Sequence, residues 1–130
     1  MIDSEWSYEA MWQGAPQDVG SARRFVAANL EADLLHGLVD EARLVVSELA
    51  TNVVRHAGTP FTVSIERTDG EVTIRVRDWS ARLPVVRSPG PWAGDGHGLG
   101  LVDALSVAWG VTVRADGGKA VWASFIAAAS

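Results

Sequence analysis

Glu48 and Asn52 are the pair of residues in this sequence with the clearest chemical potential. They lie in the stretch EARLVVSELATNVVRH, residues 41–56. Its apolar residues recur at spacings of three and four, which is typical of a helix with one buried stripe. At about 100° per residue, Glu48 and Asn52 share one face on the flank of that stripe. Their oxygens could hold a water and a hard cation such as Mg2+. A solvated helix edge is the alternative, and it is favoured for so short a pattern taken alone.

Asp78 is a second candidate because of its position in a strand pattern. Val72, Ile74 and Val76 alternate with polar residues, and Asp78 falls in register with these apolar members. Its carboxylate should therefore point to the buried side of a sheet, where an ionised acid is costly unless another group satisfies it. The alternative is that the strand has already ended and that Asp78 opens a turn.

The glycine-rich run Gly96-His97-Gly98-Leu99-Gly100 is a third candidate, since it leads into an apolar helical pattern. The exposed N–H groups and the positive end of a helix dipole suit phosphate. The stretch 79–98, which leads into and overlaps this run, contains three prolines and four glycines, so we predict a long loop there. Within that loop we predict that residues 85–97 form a lid over phosphate. A flexible connection is the alternative for the glycine run alone.

The helices and strands that must position these residues can be predicted from the period at which apolar residues recur. This period changes from about 3.6 residues, typical of a helix, to about 2 residues, typical of a strand, after the stretch 41–56. In the first half of the chain we predict a strand within 6–13, a helix capped by Asp18 or Ser21 that runs to about Leu30, and a central helix 41–56 that is capped by Asp40 and ends at Gly58. In the second half we predict a hairpin of two strands around the turn Asp69-Gly70, a helix over 99–109, and two strands over 111–114 and 119–127. On the last strand, Ser124 shares a face with Trp122 and Ile126, where a small hydroxyl is usually a packing residue.

Composition limits the classes of function. A chain of 130 residues, 48% hydrophobic and 21% charged, is expected to form one soluble globular domain over residues 1–130. Its net charge of −5 disfavours direct binding of nucleic acid. The absence of cysteine, of a membrane-length apolar run and of a signal-peptide pattern favours a cytoplasmic protein with no membrane partner. His36, His56 and His97 show no ligand spacing, which disfavours a metal hydrolase.

Taken in order, these features resemble the ATP-binding domain of the GHKL superfamily, which includes gyrase, heat-shock chaperone and histidine-kinase ATPases. The closer similarity is to single-domain anti-sigma-factor serine/threonine kinases. It is carried by VVSELATNVVRHA as the N-box, by VRDWSARLP and GHGLGLVDALSVAWGV as the two glycine boxes, and by GKAVWASF as the terminal strand. It covers about residues 12–126, and the combination of the N-box with the second glycine box is its most specific part.

The resemblance implies a fold of class α+β: a Bergerat-type, two-layer α/β sandwich with a mixed, largely antiparallel sheet of about five strands and three helices on one face. It also implies roles for individual residues. Asn52 would ligate Mg2+, and Glu48 would polarise the attacking hydroxyl. Asp78 would accept a hydrogen bond from the adenine amino group, and Ser124 would lie near adenine. The phosphates of ATP would be approached by Gly96, Gly98, Leu99 and Gly100. Ser80 stands where the first glycine box usually has glycine, and we expect it to leave less room beside adenine.

The expected function is that of an ATP-binding anti-sigma factor with serine/threonine kinase activity toward an anti-anti-sigma (STAS-type) partner, with a sigma factor as a further partner. Relatives of this type often pair as homodimers, but the sequence does not determine the oligomeric state of this chain. The alternative is a nucleotide-responsive module that sequesters a regulatory partner without phosphoryl transfer. A histidine-kinase catalytic domain is disfavoured, since no segment resembles the two-helix stalk that carries the phospho-acceptor.

Overall fold

The computed structural model describes residues 5–81 and 98–127, and it confirms the α+β architecture. The elements are β1 (Trp6–Trp12), α1 (Asp18–Ala32), α2 (Val39–Asn52), β2 (Phe61–Thr68), β3 (Glu71–Asp78), α3 (Gly98–Leu105), β4 (Ala108–Val113) and β5 (Lys119–Ile126). The five strands form one sheet in the order β1-β2-β3-β5-β4. Each described pair of neighbouring strands is antiparallel, so this part of the sheet is wholly antiparallel rather than mixed.

The alternation of apolar and polar residues along β3 determines which face of the sheet the helices cover. Val72, Ile74 and Val76 are buried on the face that packs against the helices, while the residues between them are partly exposed. The register places Val76 opposite Val121 on β5 and Asp78 opposite Lys119. Since directly opposed residues share a face, these four side chains all belong to the helix-covered side.

Helices α1 and α2 supply the second layer. Their apolar stripes are fully buried at Val26 and Leu30 on α1 and at Val45 and Val46 on α2. Each such side chain contributes about 1.5–3 kcal/mol by leaving water. The same stripe fixes the rotation of α2, and therefore which of its residues lie on the flank.

The central helix differs from its predicted bounds at both ends. It begins at Val39 after Leu38, and Asp40 lies in its first turn instead of capping it. The regular α-helix ends at Asn52 and continues as a single π turn, Val53–Ala57. Gly58 then adopts φ 67°, the left-handed conformation predicted for this glycine, and its N–H donates to the Val53 carbonyl.

The predicted caps of α1 are also wrong. Gln17 precedes the helix without a side-chain cap. Asp18 instead accepts hydrogen bonds from the N–H groups of Gly14 and Ala15, and so holds the turn that joins β1 to the helix.

The third helix is shorter than its apolar pattern indicates. It ends at Leu105, and Ala108 and Trp109 begin β4 instead of extending the helix. The Val107 N–H donates to the Ser124 carbonyl, so the chain passes directly from the helix to the edge of the sheet. For Ala108 and Trp109, pairing with β5 therefore decides the structure, although the local apolar pattern predicts a helix.

No helix in the described parts of the chain has the length and apolar character that crossing a membrane requires.

Candidate functional site

The most unusual feature of the helix-covered face is a buried ion pair at the end of β3. The ammonium of Lys119 donates to both carboxylate oxygens of Asp78, with Nζ to Oδ1 at 3.0 Å and Nζ to Oδ2 at 2.8 Å. The side chains are only 7% and 3% exposed, respectively. The predicted inward orientation of Asp78 is therefore confirmed. Its charge is satisfied within the chain by a residue 41 positions away.

Backbone groups complete the surroundings of Asp78. The N–H of Ser80 donates to Oδ1 at 2.9 Å. Among described residues other than glycine, only Leu34 and Asp69 have φ in the left-handed region, so the backbone at Ser80 is one that any residue adopts. Serine at this place of the first glycine box is thus compatible with the local backbone, and it contributes a hydrogen bond to the carboxylate.

Glu48 and Asn52 both lie half-buried on α2, one turn apart, beside the fully covered stripe that includes Leu49. This is the flank position that the spacing predicted. Asn52 is also the last α-helical residue before the π turn. Such turns widen the helix locally and occur often at functional sites.

The second glycine box opens α3, which packs against α2. Gly98 is its first residue, Leu99 is buried at 1% exposure, and Gly100 is half-buried. Among the described residues, the first turn of α3 carries no acidic side chain, so the helix itself places no carboxylate against an anion at this end. Gly96 and the predicted lid of residues 85–97 lie outside the described residues.

Ser124 does not lie with the other candidates. It is opposite Thr73, while Asp78 is opposite Lys119, five residues further along β5. At about 3.4 Å per residue, this separates the two sites by roughly 17 Å. Ser124 also has the opposite parity to Lys119, so it faces away from the helices, where its hydroxyl donates to the Ala108 carbonyl at 3.5 Å. The structure thus separates Ser124 from Asp78 and gives it a packing position on the other face of the sheet.

The donor set around Glu48 and Asn52 fits Mg2+ held with the help of a substrate. No group of three or more histidine, cysteine or acidic side chains in the described ranges could hold a metal by itself. Mg2+ commonly keeps several waters and takes one or two protein oxygens plus phosphate oxygens. The Asn52 carboxamide is a suitable single oxygen ligand for such a site.

Lys119 is the functional candidate that the sequence arguments missed. Two signals could have revealed it. Lys119 is in register with Val121 and Ala123, which predicts an inward side chain, and it is the only lysine in the chain.

The turn before Lys119 is fixed by Asp116. The Gly118 N–H, followed by the Arg77 guanidinium, holds the pKa of the Asp116 carboxyl below its usual value. Arg77 bonds that carboxylate at 2.6 Å. The turn between β4 and β5 is thereby tied to β3.

A second polar cluster lies at the other end of the sheet. The Trp6 indole donates to Asp33 at 2.9 Å, and Arg67 donates to the same oxygen. The indole, and next the guanidinium, hold the pKa of the Asp33 carboxyl below its usual value. Because this cluster joins β1 and β2 to the end of α1, we assign it to stability.

Two comparisons with known proteins agree with this geometry. Residues 13–125 match the model of the family described as "Histidine kinase-like ATPase domain". The chain is also 38% identical over 61 residues to the signal transduction histidine-protein kinase AfsQ2 of Streptomyces coelicolor. That similarity covers 45% of this chain and 11% of the relative, so the chain spans only a small part of that protein's length.

Proposed function

Because this chain belongs to the histidine kinase-like ATPase domain family, we propose that it is a cytoplasmic, ATP-binding anti-sigma factor that phosphorylates a serine or threonine of an anti-anti-sigma partner. The observation that carries the ATP-binding part is the buried carboxylate of Asp78 on the face covered by the helix that holds Glu48 and Asn52. The closer resemblance of the motifs to anti-sigma-factor kinases supports the choice of partner.

Within this proposal the residues have separate tasks. Asp78 accepts a hydrogen bond from the adenine amino group. Asn52 holds Mg2+, which neutralises phosphate charge. The N–H groups at the start of α3 face the phosphates, as helix N-termini do for anions. Phosphoryl transfer needs mainly positioning and charge stabilisation, so this small set of groups is sufficient.

Glu48 would orient the attacking hydroxyl and accept its proton. A serine hydroxyl is a weak nucleophile at neutral pH, and a carboxylate within hydrogen-bond reach accelerates its attack. The half-buried position of Glu48, one turn before Asn52, keeps the base beside the metal ligand.

Two other functions share the same nucleotide site. A nucleotide-responsive module would sequester its partner and transfer nothing. A histidine-kinase catalytic domain would phosphorylate a histidine, and the similarity to the histidine kinase AfsQ2 favours this candidate as the second choice.

The decisive experiment recovers partners from the native cell extract with and without ATP and then supplies γ-labelled ATP. We expect label on the partner that survives acid, because phosphoserine is acid-stable, whereas phosphohistidine is acid-labile. Glu48→Gln should bind Mg-ATP and partner nearly as wild type does, yet transfer at least ~100-fold more slowly. Glu31→Gln, an exposed change on α1, is the matched control.

Each of the other outcomes contradicts part of the proposal. Acid-labile label would identify a histidine acceptor. No transfer to any recovered partner would identify a binding module. Transfer that survives Glu48→Gln unchanged would remove Glu48 from the role of base.

A further inference from the structure

We propose that Lys119 is a second reader of the base: its ammonium donates a hydrogen bond to N1 of adenine while Asp78 accepts one from the N6 amino group. This inference rests on the proposed nucleotide site and assigns to it a specificity-determining residue. It follows from the hydrogen-bonding capacity that the buried pair retains.

Counted over the parts of the chain that the structure describes, the carboxylate of Asp78 retains one acceptor position. A carboxylate offers about four lone-pair sites. Among the described residues, Oδ1 accepts from both Ser80 and Lys119, whereas Oδ2 accepts from Lys119 alone. Oδ2 therefore keeps hydrogen-bonding capacity for a ligand donor while the ion pair stays intact.

With respect to the described residues, the ammonium of Lys119 retains one donor. It has three N–H groups, and two are directed at the Asp78 oxygens, at 3.0 and 2.8 Å. The pair thus presents an acceptor and a donor side by side. This order matters, because it is complementary to only one of the two purine edges.

The Watson–Crick edge of adenine carries the N6 amino donor next to the N1 acceptor. That pattern matches Asp78 and Lys119 in this order. Guanine carries the O6 acceptor next to an N1–H donor, which would set oxygen against carboxylate and N–H against ammonium. A site with such paired polar groups rejects the mismatched ligand strongly, because its buried groups are left unpaired.

The surroundings of the pair suit a flat apolar ring. On the helix-covered face, Phe61 lies opposite Asp78 on β2 and is fully buried. Val113 lies opposite Lys119 on β4 and is 68% exposed, and Val111, next along that row, is 37% exposed. The polar pair is thus bordered by apolar side chains, some of which offer accessible surface.

The ion pair of Lys119 with Asp78 argues against a role for the lysine in binding phosphate. Its Nζ is held from one side by both oxygens of Asp78, and the residue is 6% exposed. A lysine that serves a phosphate presents its charge to the ligand as a compact point charge. Here most of that charge is neutralised by the carboxylate that recognises the base.

The test changes one atom of the ligand and leaves the protein intact. Calorimetric titration of the wild type should show that 1-deaza-ATP, in which N1 is replaced by C–H, binds at least ~10-fold more weakly than ATP, the scale of a hydrogen bond to a charged group. The control ligand 7-deaza-ATP keeps the Watson–Crick edge and should bind as ATP does.

Two further measurements examine Lys119 itself. In Lys119→Met, ATP should bind more weakly, and ATP and 1-deaza-ATP should bind alike. Because Lys119 is the only lysine, protein labelled with 15N-lysine gives a single Nζ resonance, which should shift on addition of ATP and shift less with 1-deaza-ATP. The second measurement does not require a variant to fold.

The results that overturn the inference differ from those that overturn the nucleotide site. Equal binding of ATP and 1-deaza-ATP by the wild type excludes Lys119 as a reader and leaves ATP binding intact. Tighter ATP binding by Lys119→Met would show that the lysine competes with adenine for Asp78. Failure of ATP itself to bind would overturn the proposed function and this inference together.

Discussion

The backbone of Gly118 packs directly on the carbonyl of Asp78: a Cβ built on this glycine would stand 2.3 Å from the carbonyl oxygen and 3.0 Å from the α-carbon of Trp79. Gly118 precedes Lys119 and is itself buried. The close approach of two strand ends is therefore what delivers the ammonium to the carboxylate. Glycine is needed here for space, since the atoms it would meet belong to backbone.

Gly118→Ala should consequently destabilise the protein by about 1–3 kcal/mol, the usual cost of overpacking a closely packed site. Urea denaturation monitored by tryptophan fluorescence measures this. The control is Gly37→Ala, where nothing lies within 4 Å of the added Cβ, and its stability should stay near that of wild type. A Gly118→Ala variant as stable as the control would show that the strands separate without cost.

Asn52→Ala should weaken the binding of Mg-ATP, because the cation loses an oxygen ligand. The loss should be much smaller when ATP is titrated in the presence of a chelator, since Asn52 then has no metal to hold. Calorimetry with and without Mg2+ separates the two cases. Equal affinity of wild type and variant for Mg-ATP would remove Asn52 from the metal role.

Asp78→Asn should lower the affinity for ATP and ADP alike, since both carry the same base. It also leaves the buried ammonium of Lys119 without its counter-charge, and removing one partner of a buried pair costs about 3–5 kcal/mol of stability. Titrations should therefore be restricted to temperatures at which circular dichroism shows the variant folded. GTP should bind the wild type poorly, and comparable binding of ATP and GTP would contradict this base site.

The stability of the protein should fall in acid partly through Asp33. The indole of Trp6 and the guanidinium of Arg67 hold the pKa of this carboxyl below its usual value. The stabilisation is thus fully present above the unfolded-state pKa of about 3.9 and is lost as the pH falls through the lower folded-state value.

Trp6→Phe removes the strongest of these donors while keeping an aromatic ring. It should flatten the decline in unfolding free energy below about pH 4, and urea titrations at a series of pH values measure that slope. Identical slopes in wild type and variant would show that the indole does not hold Asp33 in its charged form.

Local sequence patterns were enough to predict several parts of this structure. Alternation along β3 predicted the inward carboxylate of Asp78, and its 2% exposure confirms it. The apolar stripe of α2 placed Glu48 and Asn52 on its flank. Gly58 and the Asp69-Gly70 turn were predicted because their backbone requirements are local. These features depend on residues that are close together in the sequence, so they can be predicted from the sequence pattern alone.

Contacts between distant segments decided the remainder. Only the β3–β5 register shows that Lys119 reaches Asp78 and that Ser124 is paired with Thr73, far from Asp78 along the sheet. Helix α3 ends at Leu105, because Ala108 and Trp109 gain hydrogen-bonded partners on β5, which no local pattern reveals. The physical reason is common to all three. A side chain's parity follows from its own strand, but its neighbour follows from the pairing of strands far apart in sequence, and that pairing is set by the burial and hydrogen bonding of the whole sheet.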